Sequence, residues 1–130
     1  MNQKLKVGQQ IFFTNEVPSY ELKAIDDRYA IVVRKLHRRH DADLLHHEVK
    51  MGAYFTFTEA FNAYKDNPVY SILDFKLNKR APNNLVLNDY DYWKQEDIDN
   101  CMKDLQNGEV ELSQRNACDL EIDWTKTIHN

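Results

Sequence analysis

From Gly8 onward the chain alternates side chains with a period of two. Ile11 and Phe13 fall on one side, Gln10 and Phe12 on the other. A turn over residues 15–19, containing Pro18, leads into Tyr20, Leu22 and Ala24, set against Glu21 and Lys23. Asp26-Asp27 then makes a tight turn into residues 29–33, a run rich in β-branched side chains. Three short antiparallel strands at this spacing predict a curled, SH3-like meander. Three strands alone bury too little surface to be stable, so the meander needs a cover.

Residues 37–48 are polar and irregular in period, and Val49, Met51, Ala53 and Phe55 then alternate as an extended stretch would. Thr56-Phe57-Thr58-Glu59 matches a capping box, and Phe57, Ala60, Phe61 and Tyr64 form one apolar stripe, which predicts a helix ended by Asn67-Pro68. A strand is expected over residues 69–77, with Val69, Ser71, Leu73, Phe75 and Leu77 on one face and Tyr70, Ile72, Asp74 and Lys76 on the other. Residues 78–84 read as a loop, and Leu85-Val86-Leu87 as a short strand. A second helix carries Ile98, Cys101, Met102 and Leu105, with Glu96 and Asp97 near its start and Asn107-Gly108 as its stop. Val110 and Leu112 follow, then an edge strand from Leu120, Ile122 and Trp124, while residues 125–130 fray. The expected fold is a single α+β domain over residues 1–130: a curled antiparallel sheet packed against two short helices.

Composition narrows the function classes. The 130 residues are 42% hydrophobic and 29% charged, the balance of an ordinary globular protein rather than a disordered one. No apolar run reaches the roughly 18 residues of a membrane span, and the N-terminus lacks the apolar stretch of a secretory signal, so the expected location is the cytoplasm. Two cysteines, Cys101 and Cys118, make neither a disulfide framework nor a zinc-binding pair. Three glycines leave no phosphate-cradling loop. Cys101 sits on an apolar helix stripe, Asp119 beside Cys118 disfavours a thiolate, and Ser113 lacks a nucleophile turn. No catalytic residues or cofactor are assigned.

Charge is uneven. Formal net charge is −4, yet residues 1–66 carry ten Lys/Arg against nine Asp/Glu and four of the five histidines, whereas residues 67–130 carry seven against twelve. An acidic half is either a solvated face or a surface that docks onto a basic partner, such as a nucleic-acid-binding protein. The stretch from His37 to Glu48 places four imidazoles and three carboxylates within twelve residues. On a helix, His40, Asp43 and His47 would share a face and suit a transition metal, but no familiar metal spacing is present and Arg38 and Arg39 repel a cation. The same stretch reads as an exposed polar loop, or as a phosphate- or partner-binding patch of Arg34, Lys35, Arg38 and Arg39. No aromatic residue is interleaved with that patch, which weighs against base stacking.

Two further loops carry arginine and asparagine: Lys79-Arg80-Ala81-Pro82-Asn83-Asn84 and Glu111-Leu112-Ser113-Gln114-Arg115-Asn116. Such residues bind carboxylates, phosphates or free backbone groups, and they also close turns locally. Taken in order, Lys6-Val7-Gly8-Gln9-Gln10-Ile11-Phe12-Phe13, Arg28-Tyr29-Ala30-Ile31-Val32, Val69-Tyr70-Ser71-Ile72-Leu73-Asp74-Phe75 and these two loops make most of the chain resemble a small uncharacterised protein family of bacteriophages, plasmids and integrated mobile elements. Residues 37–67 stand as an insertion relative to shorter members. Relatives tend to carry Arg-Gly-Pro-Asp-Asn and Ser-Arg-Arg-Asn in the two loops. Here Ala81 replaces the glycine and Gln114 an arginine, which weakens any role needing close backbone approach or phosphate binding. The resemblance implies no activity.

The expected function is therefore a non-enzymatic accessory protein of a phage or mobile element that binds a macromolecule. Its most concrete form is an acidic inhibitor of a host defence nuclease. The binding candidates are Arg34, Arg38, Arg39, Arg80, Asn83, Asn84, Ser113, Arg115 and Asn116. The alternatives are a nucleic-acid-binding accessory protein using residues 34–39, and a metal-dependent enzyme at the His/acidic stretch 37–48.

Overall fold

A computed structural model describes residues 5–83, 93–108 and 117–127. Its strands are β1 (Gln10–Ile11), β2 (Tyr20–Ile25), β3 (Tyr29–Lys35), β4 (Pro68–Asp74), β5 (Lys79–Asn83) and β6 (Cys118–Asp119). They form one antiparallel sheet in sequence order, each strand pairing with the next. The sheet curls until its ends meet. Phe13, just past β1, bridges Ile122, just past β6, and Thr14 N donates to Glu121 O while Asp123 N donates to Phe12 O.

The hairpin turns explain the order of the central strands. At the β2–β3 turn, Asp26 Oδ1 accepts from the backbone of Arg28 at 2.8 Å and Tyr29 at 2.6 Å. Asp74 ends β4 in the same way, accepting from Lys76 N and Leu77 N, and Asn78 turns the chain at φ 56° into β5. Arg28 then forks onto Asp74 through Nε and Nη2, fastening one turn to the other.

Both faces of the sheet are covered, so Ala30, Ile31, Val32 and Val33 are all buried. Inside the curl lie Ile11, Phe13, Tyr20, Leu22, Ala30, Val32, Val69 and Leu73, covered by Leu45 of α1 (Ala42–Lys50) and by Ala60, Phe57 and Phe61 of α2 (Phe57–Tyr64). Outside lie Ala24, Ile31, Val33, Tyr70 and Ile72, packed under Ile98, Cys101, Met102 and Leu105 of α3 (Gln95–Gln106). A short α4 (Trp124–Thr127) sits beside β1, where Thr127 Oγ1 accepts from Phe12 N at 3.0 Å.

The expected curled α+β fold is present, with differences that have local causes. Ala24 leaves the face of Tyr20 and Leu22, because a bulge between Leu22 and Ala24 inserts Lys23 and shifts the register by one. Residues 49–55 are not extended. Val49 belongs to α1, whose polar surface hid its single apolar edge, and Gly52 at φ 82° ends it with Gly52 N donating to Val49 O and Ala53 N to Glu48 O. The loop expected over residues 78–84 contains β5, and β4 stops at Asp74, leaving Leu77 half exposed. Trp124 opens α4 rather than extending a strand. The two helices read from the sequence are α2 and α3, and Thr56 Oγ1 caps α2 by accepting from Glu59 N at 3.1 Å. The strand expected at 85–87 and the positions of Val110 and Leu112 lie outside the described residues.

Leu73 sits opposite both Ala30 and Arg80 at the centre of the inner face and is fully buried. Leu73→Ala should cost about 2–5 kcal/mol, read as a lower urea midpoint at constant m-value. An unchanged midpoint would remove Leu73 from the core.

Candidate functional site

Strand alternation places two arginines inside the curl. Arg34 follows Ala30 and Val32 on the inner face of β3, and Arg80 stands opposite Leu73 on the inner face of β5. Their carboxylate partners come from outside the sheet. Asp41 lies just before α1, and Glu16 in the loop between β1 and β2. All four charged side chains are 10% exposed or less.

The bonding is reciprocal. Arg34 forks onto Asp41, Nη1 to Oδ2 at 2.7 Å and Nη2 to Oδ1 at 3.0 Å, and its Nη1 also donates to Lys35 O. Arg80 donates from Nη2 to Glu16 Oε2 and from Nη1 to Ser71 Oγ at 3.2 Å. The Tyr20 hydroxyl donates to Glu16 Oε1 at 2.7 Å. Aromatic faces flank both guanidiniums: Arg34 lies 5.1 Å from the Tyr20 ring centroid and Arg80 4.1 Å from that of Phe13. Among the described residues, Arg34 Nε is the one buried side-chain polar atom without a hydrogen-bond partner. A cavity of about 270 Å3 opens over the cluster, with Asn15, His40, Asp43 and Leu44 completing its wall.

Burial alone would raise the Asp41 carboxyl, but the Arg34 fork and the His37 N–H outweigh it and hold it below the ordinary carboxylate range. Burial opposes the charge of Arg34 and Arg80, and their carboxylate partners overcome that and raise both. Tyr20 is pushed up, by burial first and by Glu16 next, against the pull of Arg34. At neutral pH its phenol therefore keeps its proton and serves as a donor. Two cations and two anions compensate each other, and what this arrangement does chemically is to fix two loops onto the sheet.

The structure brings Arg34 and Arg80 together and leaves Arg38 and Arg39 apart from them on the surface. Asn83 lies in β5 opposite Tyr70. Asn84, Ser113, Arg115 and Asn116 lie outside the described residues. Of the metal candidates, Asp43 and His47 stand one turn apart on α1, while His40 precedes it with Nε2 3.6 Å from Glu16 Oε1. Among the described residues no three His, Cys, Asp or Glu side chains gather as a metal would require. The sequence reading missed Glu16, Tyr20, Asp41 and Ser71. The period-two alternation of β3 already put Arg34 on the face of Ala30 and Val32, and a buried arginine demands a carboxylate.

Comparison with protein-family models, with curated proteins and with solved structures finds no match. Among the described residues no helix is long and apolar enough to cross a membrane.

Removing one member strands a buried charge. Glu16→Ala should lower stability by about 3–5 kcal/mol in urea unfolding, more than loss of an exposed ion pair such as Lys79–Asp119. Equal effects would show that the buried pair is solvated. Asp74, like Asp41, has a lowered pKa: burial opposes its charge, and Arg28 with the Lys76 and Leu77 N–H groups prevails. A depressed folded pKa means the contribution is complete above the unfolded carboxylate range near about 4 and is lost as pH falls through the folded values. Melting temperature should therefore fall between roughly pH 5 and 2, and fall less steeply in Asp74→Asn; identical slopes would contradict the assignment.

Proposed function

We propose that the protein is a non-enzymatic accessory protein of a phage or other mobile element, and that it binds a basic macromolecule of the host or the element through α3. An inhibitor of a host defence nuclease is the form this takes. The observation that carries the reading is the placement of α3. Its apolar stripe is locked onto the outer face of the sheet, and the helix bears Glu96, Asp97, Asp99 and Asp104 against a single cation, Lys103. Glu96 and Asp99 are exposed, and Asp99 is held by Gln95 Nε2 at 2.9 Å. A rigid helix with net negative charge offers a basic nucleic-acid-binding groove a complementary potential and speeds encounter. The neutralised Arg34/Arg80 cluster supports the same reading, because its ionisable groups are spent on one another. The origin rests on the resemblance to the mobile-element family.

Tagged wild-type protein should retain a basic partner from bacterial lysate at stoichiometric level, released as salt is raised. Glu96→Lys/Asp99→Lys, surface changes that give up the helix-dipole contribution at the start of α3 and lower the melt only slightly, should weaken retention by about tenfold or more. Equal retention by both proteins, or no partner with either, would refute docking through α3.

A further inference from the structure

The protein treats its arginines in two ways. Arg28, Arg34 and Arg80 are each paired with a carboxylate, whereas Arg38 and Arg39 make no ion pair or side-chain hydrogen bond among the described residues, although the chain carries 21 Asp/Glu. Both belong to the turn of residues 37–40 between β3 and α1. They line a cleft of about 770 Å3 together with His37, His40 and, from the β1–β2 loop, Val17; among the described residues no carboxylate lines it. It is an open surface groove, with Val17, Arg38, Arg39 and His40 all exposed.

Its walls are preorganised. Asp41, clamped by Arg34, accepts from His37 N at 2.7 Å, and His40 N donates to His37 Nδ1 at 3.0 Å, which fixes the turn carrying the two arginines. The opposite wall, Val17, is 77% exposed and follows Glu16, which Arg80 and Tyr20 hold. Arg38 is braced from α2, its guanidinium 5.1 Å from the ring centroids of both Phe57 and Phe61. A guanidinium stacked on rings keeps its N–H edge for a phosphate. Neither ring lines the cleft itself, so their part is to orient Arg38 rather than to stack a base.

We infer that this cleft binds single-stranded nucleic acid, with Arg38 and Arg39 on successive phosphates and His37, His40 and Val17 against the bases. Guanidiniums without a carboxylate partner among the described residues supply the electrostatic attraction, and imidazole rings beside an apolar side chain give the sequence-tolerant stacking surface of a single-strand site. The site is independent of α3 and lies on the other layer of the fold.

Fluorescence anisotropy of a labelled mixed-sequence single-stranded oligonucleotide against the full chain, at roughly 50 mM salt, tests it. Binding should weaken with salt, and Arg38→Gln/Arg39→Gln should reduce affinity about tenfold or more and lower the salt slope by roughly 0.7 for each phosphate that is no longer neutralised. Arg39→Gln alone, at a side chain with no bonding partner among the described residues, should produce part of that effect at an unchanged melting temperature. Lys103→Gln and Glu96→Lys/Asp99→Lys on α3 should leave cleft affinity within about twofold, which separates this site from the α3 reading. No anisotropy change up to about 100 μM protein, an equal weakening with Lys103→Gln, or tighter binding of a duplex or a phosphopeptide would each overturn it.

Discussion

The constraint on which the structure depends is charge compensation inside the curl of the sheet. Arg34 and Arg80 are placed there by strand alternation, and a buried guanidinium without a carboxylate is costly by several kcal/mol. Neither strand β3 nor β4 supplies an acid on the inner face near them. The acids come from two connections, Glu16 between β1 and β2 and Asp41 before α1. The requirement to neutralise the interior therefore becomes a requirement on where those connections lie. Tyr20 and Ser71 complete the bonding from the sheet itself, and the rings of Tyr20 and Phe13 occupy the faces of the guanidiniums.

A second consequence follows from burying both faces of the sheet. The outer face is covered by an acidic helix, α3, and the inner face by the α1–α2 pair, whose flanking turn carries Arg38 and Arg39. The acidic half of the chain thus supplies the helix on the outer face and the more balanced half the helices on the inner face, while both halves contribute strands to the sheet between them. Within the net charge of −4, α3 carries four carboxylates against Lys103, whereas residues 37–66 hold four Lys/Arg against five Asp/Glu, so the basic character of that layer is confined to the Arg38–Arg39 turn.

Much of the fold was legible because its signals are local. The Asp26 turn, the Thr56 cap, the Gly108 stop at φ 75° and the Ile98/Cys101/Met102/Leu105 stripe each depend on a few adjacent residues. Errors arose where a distant partner decides. The bulge at Lys23 is set by pairing with β3, and β5 exists because Asp74 and Asn78 fold residues 79–83 back onto β4. α1 carries too narrow an apolar edge to announce itself, and its position is fixed by Asp41 reaching back to Arg34. The buried charge cluster was not legible as such. Arg34 and Arg80 stood out in the sequence as candidates to bind a partner, whereas the structure spends both on internal carboxylates 7 and 64 positions away, and nothing in sequence distinguishes Glu16 from the chain's other glutamates.

The buried network also bears on why such a cluster persists in a core. Apolar residues of similar volume commonly replace a buried ion pair at little cost, or with a gain in stability, so net stability is a weak reason for keeping one. An apolar replacement would fill the same space without direction, leaving the residue 15–19 turn and the residue 37–40 turn held only by their own backbone bonds. The forked Arg34–Asp41 contact fixes both distance and angle, and His37 N is bonded to the same Asp41 oxygen that Arg34 Nη1 holds. One carboxylate thereby transmits the geometry of a central strand to a surface turn two side chains away. Such positioning rewards a fixed orientation more than a deeper free-energy minimum. It is the physical advantage that an ion pair has over leucine at this place in the fold.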